Sequence, residues 1–204
     1  MIQMTVARAG EGRLSADLMD SMYRLRHAVF HDRLGWEVRS EGGREHDWYD
    51  LIGPHYLVAH DDSPQRRALG CWRLLPTQGP YMLRDIFPQL LGGQPAPAAP
   101  GVWEISRFAV ADEVTGDSFG FSEVPATMLA EMVRFAVLHD IHTIVGVTSA
   151  AVERMLRGLG FRVERLGPPQ RIGRVLSVAF RLAMDAATQR AICGEEILPL
   201  RQAA

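Results

Sequence analysis

The chain has 204 residues, of which 47% are hydrophobic and 23% charged, which suits one folded domain with a full core and excludes a disordered chain. A formal net charge of -2 gives no sign of a protein that grips nucleic acid over its whole surface. Every basic side chain is arginine, a bias that carries no mechanism by itself. Cys71 and Cys193 are the only cysteines and suggest neither a disulfide framework nor a metal site. No signal peptide and no membrane-length apolar run is visible, so a cytoplasmic protein is expected.

Residues 1–8 read as a first strand, followed by a helix with Ser15 as its N-cap. Leu18, Met22, Leu25 and Val29 recur at helical spacing and give that helix a core-facing stripe. Arg26 and Phe30 stand one turn apart beside the stripe, and Gly35 marks the helix end. Residues 37–53 are polar and without periodicity, long for a loop and therefore a functional candidate. Strands are expected at 56–60 and 68–75, then a short helix over 82–91. The run GGQPAPAAPG at 92–101 permits no regular structure. A strand at 102–110 precedes a helix capped by Ser122. A buried strand at 143–148 and a helix at 150–159 closed by Gly160 come next, with strands at 163–166 and 175–184. The order predicts a single domain over 1–204, an α/β protein folded as a three-layer α/β/α sandwich on a mixed central sheet. Such sheets take ligands at the strand ends.

Charges set into core-like sequence are expensive unless paired, so their positions point to a site. Three clusters stand out: Arg26, Phe30 and Trp36 in LRHAVFHDRLGW, Asp47 and Asp50 in EHDWYD, and Glu104 and Arg107 in VWEISRF. Arg73 lies between the last two, in GCWRLLPT. In type, order and spacing these positions resemble the signature of the acyl-homoserine lactone synthases, the LuxI-type autoinducer synthases of bacterial quorum sensing. The resemblance runs from about Tyr23 to Arg107 and continues more weakly to Phe161 and GPPQRIG.

The resemblance implies an acyltransferase with a sheet related to that of the GNAT acetyltransferases. The amine of S-adenosylmethionine (SAM) would attack an acyl thioester on acyl carrier protein or coenzyme A. The methionyl carboxylate would then close the lactone and expel methylthioadenosine. SAM and the thioester are substrates, and no cofactor is implied. On this reading Arg26 is a candidate for the SAM carboxylate, because guanidinium presents a planar fork. Asp47 and Asp50 would hold the amine or sulfonium and fix their own loop. Phe30 and Trp36 would pack on the adenosine or the pantetheine arm, with a core role for Phe30 as the alternative. Glu104 is the candidate general base, acting on the amine directly or through a water. Its structural alternative is an ion pair with Arg107 or Arg73, which act as strand-borne organisers of the acidic residues.

Met128, Leu129, Met132, Val147, Thr148 and Ala151 are candidates to line an acyl pocket, and Thr148 has a helix cap as its alternative role. Arg154, Arg157, Arg162, Arg165, Arg171, Arg174 and Arg181 face only Glu153 and Glu164 within the same stretch. That excess would suit an acidic carrier protein or the phosphates of coenzyme A. His27 and His31 lie one turn apart without a carboxylate at zinc-site spacing, so no metal is expected. Two alternatives remain. A GNAT-type N-acetyltransferase would carry a pyrophosphate loop, but ADEVTGDSFG lacks the pattern and the partial match Gln170-Arg171-Ile172-Gly173 precedes a strand. A binding-only protein of the same fold would have no need of Glu104. No helix-turn-helix is present, and oligomeric state and acyl chain length are left open.

Overall fold

The computed structural model describes residues 1–114, 123–194 and 197. The chain divides into two compact units, Met1–Leu74 with Arg107–Glu131 and Leu75–Ser106 with Met132–Ala204.

In the first unit, β1 (Gln3–Arg8) is followed by α1 (Ala16–Arg26), where Ser15 Oγ accepts the Leu18 N–H. The expected stripe of Leu18, Met22, Leu25 and Val29 is buried, each side chain contributing about 1.5–3 kcal/mol. It packs with Ala7, Tyr56, Val58 and Cys71 into one core. Beyond Arg26 the helix does not stay α but widens into a π-helix, His27–Arg33. The Leu34 N–H reaches back to Val29 O, and Gly35 at φ 61° ends the run in the left-handed region glycine favours. The polar segment after it holds a hairpin, β2 (Ser40–Glu41) and β3 (Arg44–Glu45), and a 3₁₀ turn at Trp48–Asp50. The antiparallel strands β4 (His55–His60) and β5 (Ala68–Pro76) follow, with Tyr56 opposite Arg73.

In the second unit the expected helix over 82–91 is two pieces, α2 (Met82–Asp85) and a 3₁₀ turn at Pro88–Leu91. The break falls before Pro88, which supplies no N–H to continue a helix. β6 (Val102–Val110) and α3 (Glu123–Leu138) each run through both units. Ser122, the expected cap of α3, lies outside the described residues. Then come β7 (Thr143–Ser149), α4 (Ala150–Gly158), β8 (Val163–Arg165), β9 (Gln170–Ile172), β10 (Val175–Ala183) and α5 (Ala186–Cys193). The helix cap considered for Thr148 belongs to its neighbour: Ser149 Oγ accepts the Val152 N–H, while Thr148 pairs with Val178 in the sheet.

The strands are hydrogen-bonded in the order β1-β4-β5-β6-β7-β10-β8, with β9 on β10. β6 and β7 run parallel, whereas β1–β4, β4–β5 and β7–β10 are antiparallel, so the sheet is mixed with flanking helices. β9, β2, β3 and α5 have no counterpart in the sequence reading. No helix among the described residues is long and apolar enough to cross a membrane.

Candidate active site

Three arginines and three carboxylates meet inside the first unit. Arg26 is completely buried at the end of α1, and each of its nitrogens donates to a carboxylate. Nε donates to Glu45 Oε2 at 2.5 Å, and Nη1 and Nη2 form a fork on Asp50 at 2.9 Å each. Arg73, fully buried on β5, donates to both oxygens of Asp47 and to Asp50 Oδ1. Arg107 reaches Glu45 Oε1 at 3.0 Å and Asp47 Oδ2 at 2.8 Å. The guanidiniums also face aromatic rings, Arg26 over Tyr23, Arg73 over Tyr49 and Arg107 over Phe30, at 5.3–5.5 Å.

Local backbone chemistry brings these groups together. Asp47 caps the 3₁₀ turn by accepting the Tyr49 N–H, and Asp50 Oδ2 reaches back to the Asp47 N–H. The turn thereby aims both carboxylates at arginines from α1 and β5. Glu45 arrives from β3 and is buried. Tyr56, opposite Arg73 in the strand register, donates its hydroxyl to Asp50 Oδ1 at 2.5 Å. Arg107 sits within β6 at φ 57°, a left-handed conformation costing about 1–3 kcal/mol, which the surrounding ion pairs offset.

The network is neutral as a set, which lets it lie in the interior. Burial pushes the Asp50 carboxyl up, but Arg26, Arg73 and the Tyr56 hydroxyl hold it well below the usual carboxylate range. Burial also opposes the charge on Arg26, and Asp50 and Glu45 outweigh it, raising its pKa. For Arg107 burial prevails over Glu45, and its pKa falls below the usual guanidinium value.

Arg26 was expected to take a ligand carboxylate, but its donors are committed to Glu45 and Asp50. Asp47 and Asp50, expected over a ligand, fix their own loop, and Asp47 alone of the three carboxylates keeps an exposed edge, with 17% of its side chain accessible. Phe30 is buried in the core and stacks on Trp36 at 5.3 Å, while Trp36 is 40% exposed. Glu45 and Tyr56 were missed. Charge balance was the available signal for Glu45, since three buried arginines need a third carboxylate.

Among the described residues of the first unit, Glu45 is that third carboxylate. In the second unit Glu104 is buried on β6, where Oε2 accepts the Met82 N–H at 2.9 Å and Oε1 the Leu83 N–H at 2.7 Å. These are the first amides of α2, so the carboxylate caps a helix N-terminus, a placement favourable to its charge.

Of the acyl-pocket candidates, Met128, Leu129 and Met132 are buried, Val147 and Thr148 half-buried and Ala151 exposed. A groove of about 260 Å³ in the second unit has a different lining, including Ala136, Val137, Ile141, His142 and Met184. Of the candidate carrier-binding arginines, Arg157 and Arg165 are occupied by Glu153, a buried glutamate, and Arg162 by Asp185. Arg171 donates to the Arg174 carbonyl, and Arg181 pairs with Glu164 at 3.7 Å. Arg154 and Arg174 are exposed. Gln170, Arg171 and Ile172 form β9, so this run is no phosphate-binding loop.

A mixed sheet with flanking helices carrying buried charge defines an α/β domain. A putative N-acetyltransferase from Lactobacillus plantarum shares that architecture at a TM-score of 0.59 over 90% of this chain and 99% of its own, with 15% identity. The autoinducer synthase family model matches residues 11–192. The acyl-homoserine-lactone synthase of Pseudomonas aeruginosa is 40% identical over 186 residues, 91% of this chain and 92% of its own. The AHL synthase LasI superposes with a TM-score of 0.88 at 37% identity, covering 98% of this chain and 99% of LasI. BjaI, a CoA-dependent acyl-homoserine lactone synthase with SAM and isopentyl-CoA, gives 0.85 at 26% identity, covering 95% of this chain and 89% of BjaI. The chain belongs to the autoinducer synthase family, whose members are acyltransferase enzymes.

Proposed function

We infer that the protein is an N-acyl-L-homoserine lactone synthase with SAM and an acyl thioester as substrates. The SAM amine attacks the thioester carbonyl, an amide forms, and the carrier thiol leaves. The methionyl carboxylate then attacks its own Cγ, closing the lactone as methylthioadenosine departs. The departing sulfur leaves as a neutral thioether from a sulfonium, so the protein's main task is positioning. The observation that carries this reading is the neutral buried network, in which Glu45 joins five signature residues, Arg26, Asp47, Asp50, Arg73 and Arg107, in a chain matched over residues 11–192.

The geometry revises the individual roles. Arg26, Arg73, Arg107, Glu45 and Asp50 form a rigid frame, and Trp36 and the exposed edge of Asp47 are the parts of it suited to touch SAM. Glu104 remains the proposed base: its buried carboxylate is held in place on β6 by the Met82 and Leu83 amides. Burial pushes the Cys71 thiol up to about 12, which argues for direct transfer rather than an acyl-cysteine intermediate. The acyl donor is proposed to be acyl carrier protein or acyl-CoA, with Arg154 and Arg174 the exposed arginines best placed to meet its negative charge. We treat the two units as one synthase domain because the family match runs through both. Thioester and SAM substrates suit a cytoplasmic enzyme.

The test is a Glu104→Gln variant followed through amide formation in single turnover across pH. A base role predicts a rate about 10²–10⁴-fold lower, with the wild-type pH dependence lost. A wild-type rate at every pH would leave Glu104 only its capping role. The acetyltransferase and binding-only alternatives are not favoured, because the relatives at 37–40% identity are acyl-homoserine-lactone synthases.

A further inference from the structure

We propose that His27, His31 and Asp32 form a binding site for a divalent transition metal of the zinc class on the π-helix, separate from the buried ion-pair network. In an α-helix residue i+5 points about 140° away from residue i, so Asp32 would turn its back on His27. The π-helix is wider, and i+5 returns above i. That winding sets the His27 and His31 rings face to face at 4.8 Å and brings Asp32 Oδ1 to 3.5 Å from His27 Nε2 and 2.8 Å from His31 Nδ1. One ligand atom from each of the three residues lies within 4.8 Å of the others. The carboxylate that sequence spacing failed to supply comes from the change of helix type.

A neighbour anchors His27 from its other side. Nδ1 is in hydrogen-bond contact with Ser40 Oγ, which also lies 3.2 Å from the Arg44 carbonyl oxygen, so the ring is held through Nδ1 and turns Nε2 toward Asp32. A ring held through one nitrogen by a neighbouring oxygen, with the other nitrogen directed at the ligand position, is the usual arrangement of a metal-binding histidine.

Two imidazoles and a carboxylate suit zinc, cobalt or nickel, and three protein ligands leave positions for water. Bonds of about 2.0–2.1 Å would draw the ligand atoms to roughly 3.3 Å apart. His31 and Asp32, 52% and 58% exposed, have the freedom to turn inward by that much.

Cobalt(II) titration of tag-free, chelator-treated protein tests the site, with zinc displacement as confirmation. The expected result is one equivalent bound, visible d–d bands without sulfur charge transfer, and a midpoint of thermal unfolding that rises with metal concentration. His31→Ala and Asp32→Asn, both at exposed positions, should each weaken binding by at least about tenfold, and His142→Ala should leave it unchanged. Cobalt binding that survives His31→Ala at full strength, or no stoichiometric binding, would overturn the proposal. The second result would leave the three side chains as a hydrogen-bonded cluster only.

Discussion

At the scale of single residues, the buried network makes Asp50 the most consequential carboxylate, because Arg26, Arg73 and Tyr56 all converge on it. Replacing it by Asn leaves two buried guanidiniums short of charge and should lower stability by about 3–5 kcal/mol at pH 7, measured by urea unfolding. Its pKa is depressed in the folded state, so the stabilisation is complete above the unfolded carboxylate value. It is lost as pH falls through the lower folded value. Wild-type stability should therefore drop below about pH 4, and Asp50→Asn should show a shallower drop over the same range. An equal acid slope in the two proteins would contradict the assignment.

The signature charges were legible in sequence because each interrupts apolar or turn-forming surroundings, and burial of unpaired charge is prohibitive. Glu45 was hidden in a polar run without periodicity, on a strand of two residues. Tyr56 read as strand filling, since nothing in sequence announces its hydroxyl's partner. The partners found for Glu104 are backbone amides, which leave no side-chain trace.

Among the elements, the apolar stripe and the Ser15 cap of α1 were read correctly, and so were the long buried strands. The change from α to π winding at His27 could not be read, because the apolar spacing through Val29 fits an α-helix equally well. β9 follows Gly167-Pro168-Pro169 and spans three residues, too short for alternation to show. One close approach tests how β6 and β7 pair in parallel. A Cβ at Gly146 would lie 2.6 Å from the Ile105 carbonyl oxygen and 3.1 Å from the Phe180 ring. Gly146→Ala must push backbone apart and should destabilise the protein by about 1–3 kcal/mol, whereas Gly158→Ala, with open space around its Cβ, should not. Thermal unfolding of the two variants side by side decides it.

For the whole molecule, the arginine-rich stretch from Arg154 to Arg181 divides into spent and available charge. Arg157 and Arg165 hold the buried Glu153, so their loss should cost stability. Arg154→Glu with Arg174→Glu should instead raise KM for the acyl donor at low salt, leave kcat nearly unchanged, and lose the effect at high ionic strength. An unchanged KM would move the donor surface elsewhere, and a comparison of carrier-protein with coenzyme A donors would show which negative charge these arginines meet.

Lactone synthesis itself is tested most directly by mass-spectrometric product analysis of the wild-type protein with SAM and a panel of acyl-carrier-protein and acyl-CoA thioesters. The account predicts methylthioadenosine and an N-acyl-homoserine lactone in equal amounts, with one donor preferred. SAM left intact while a different amine is acylated would contradict it.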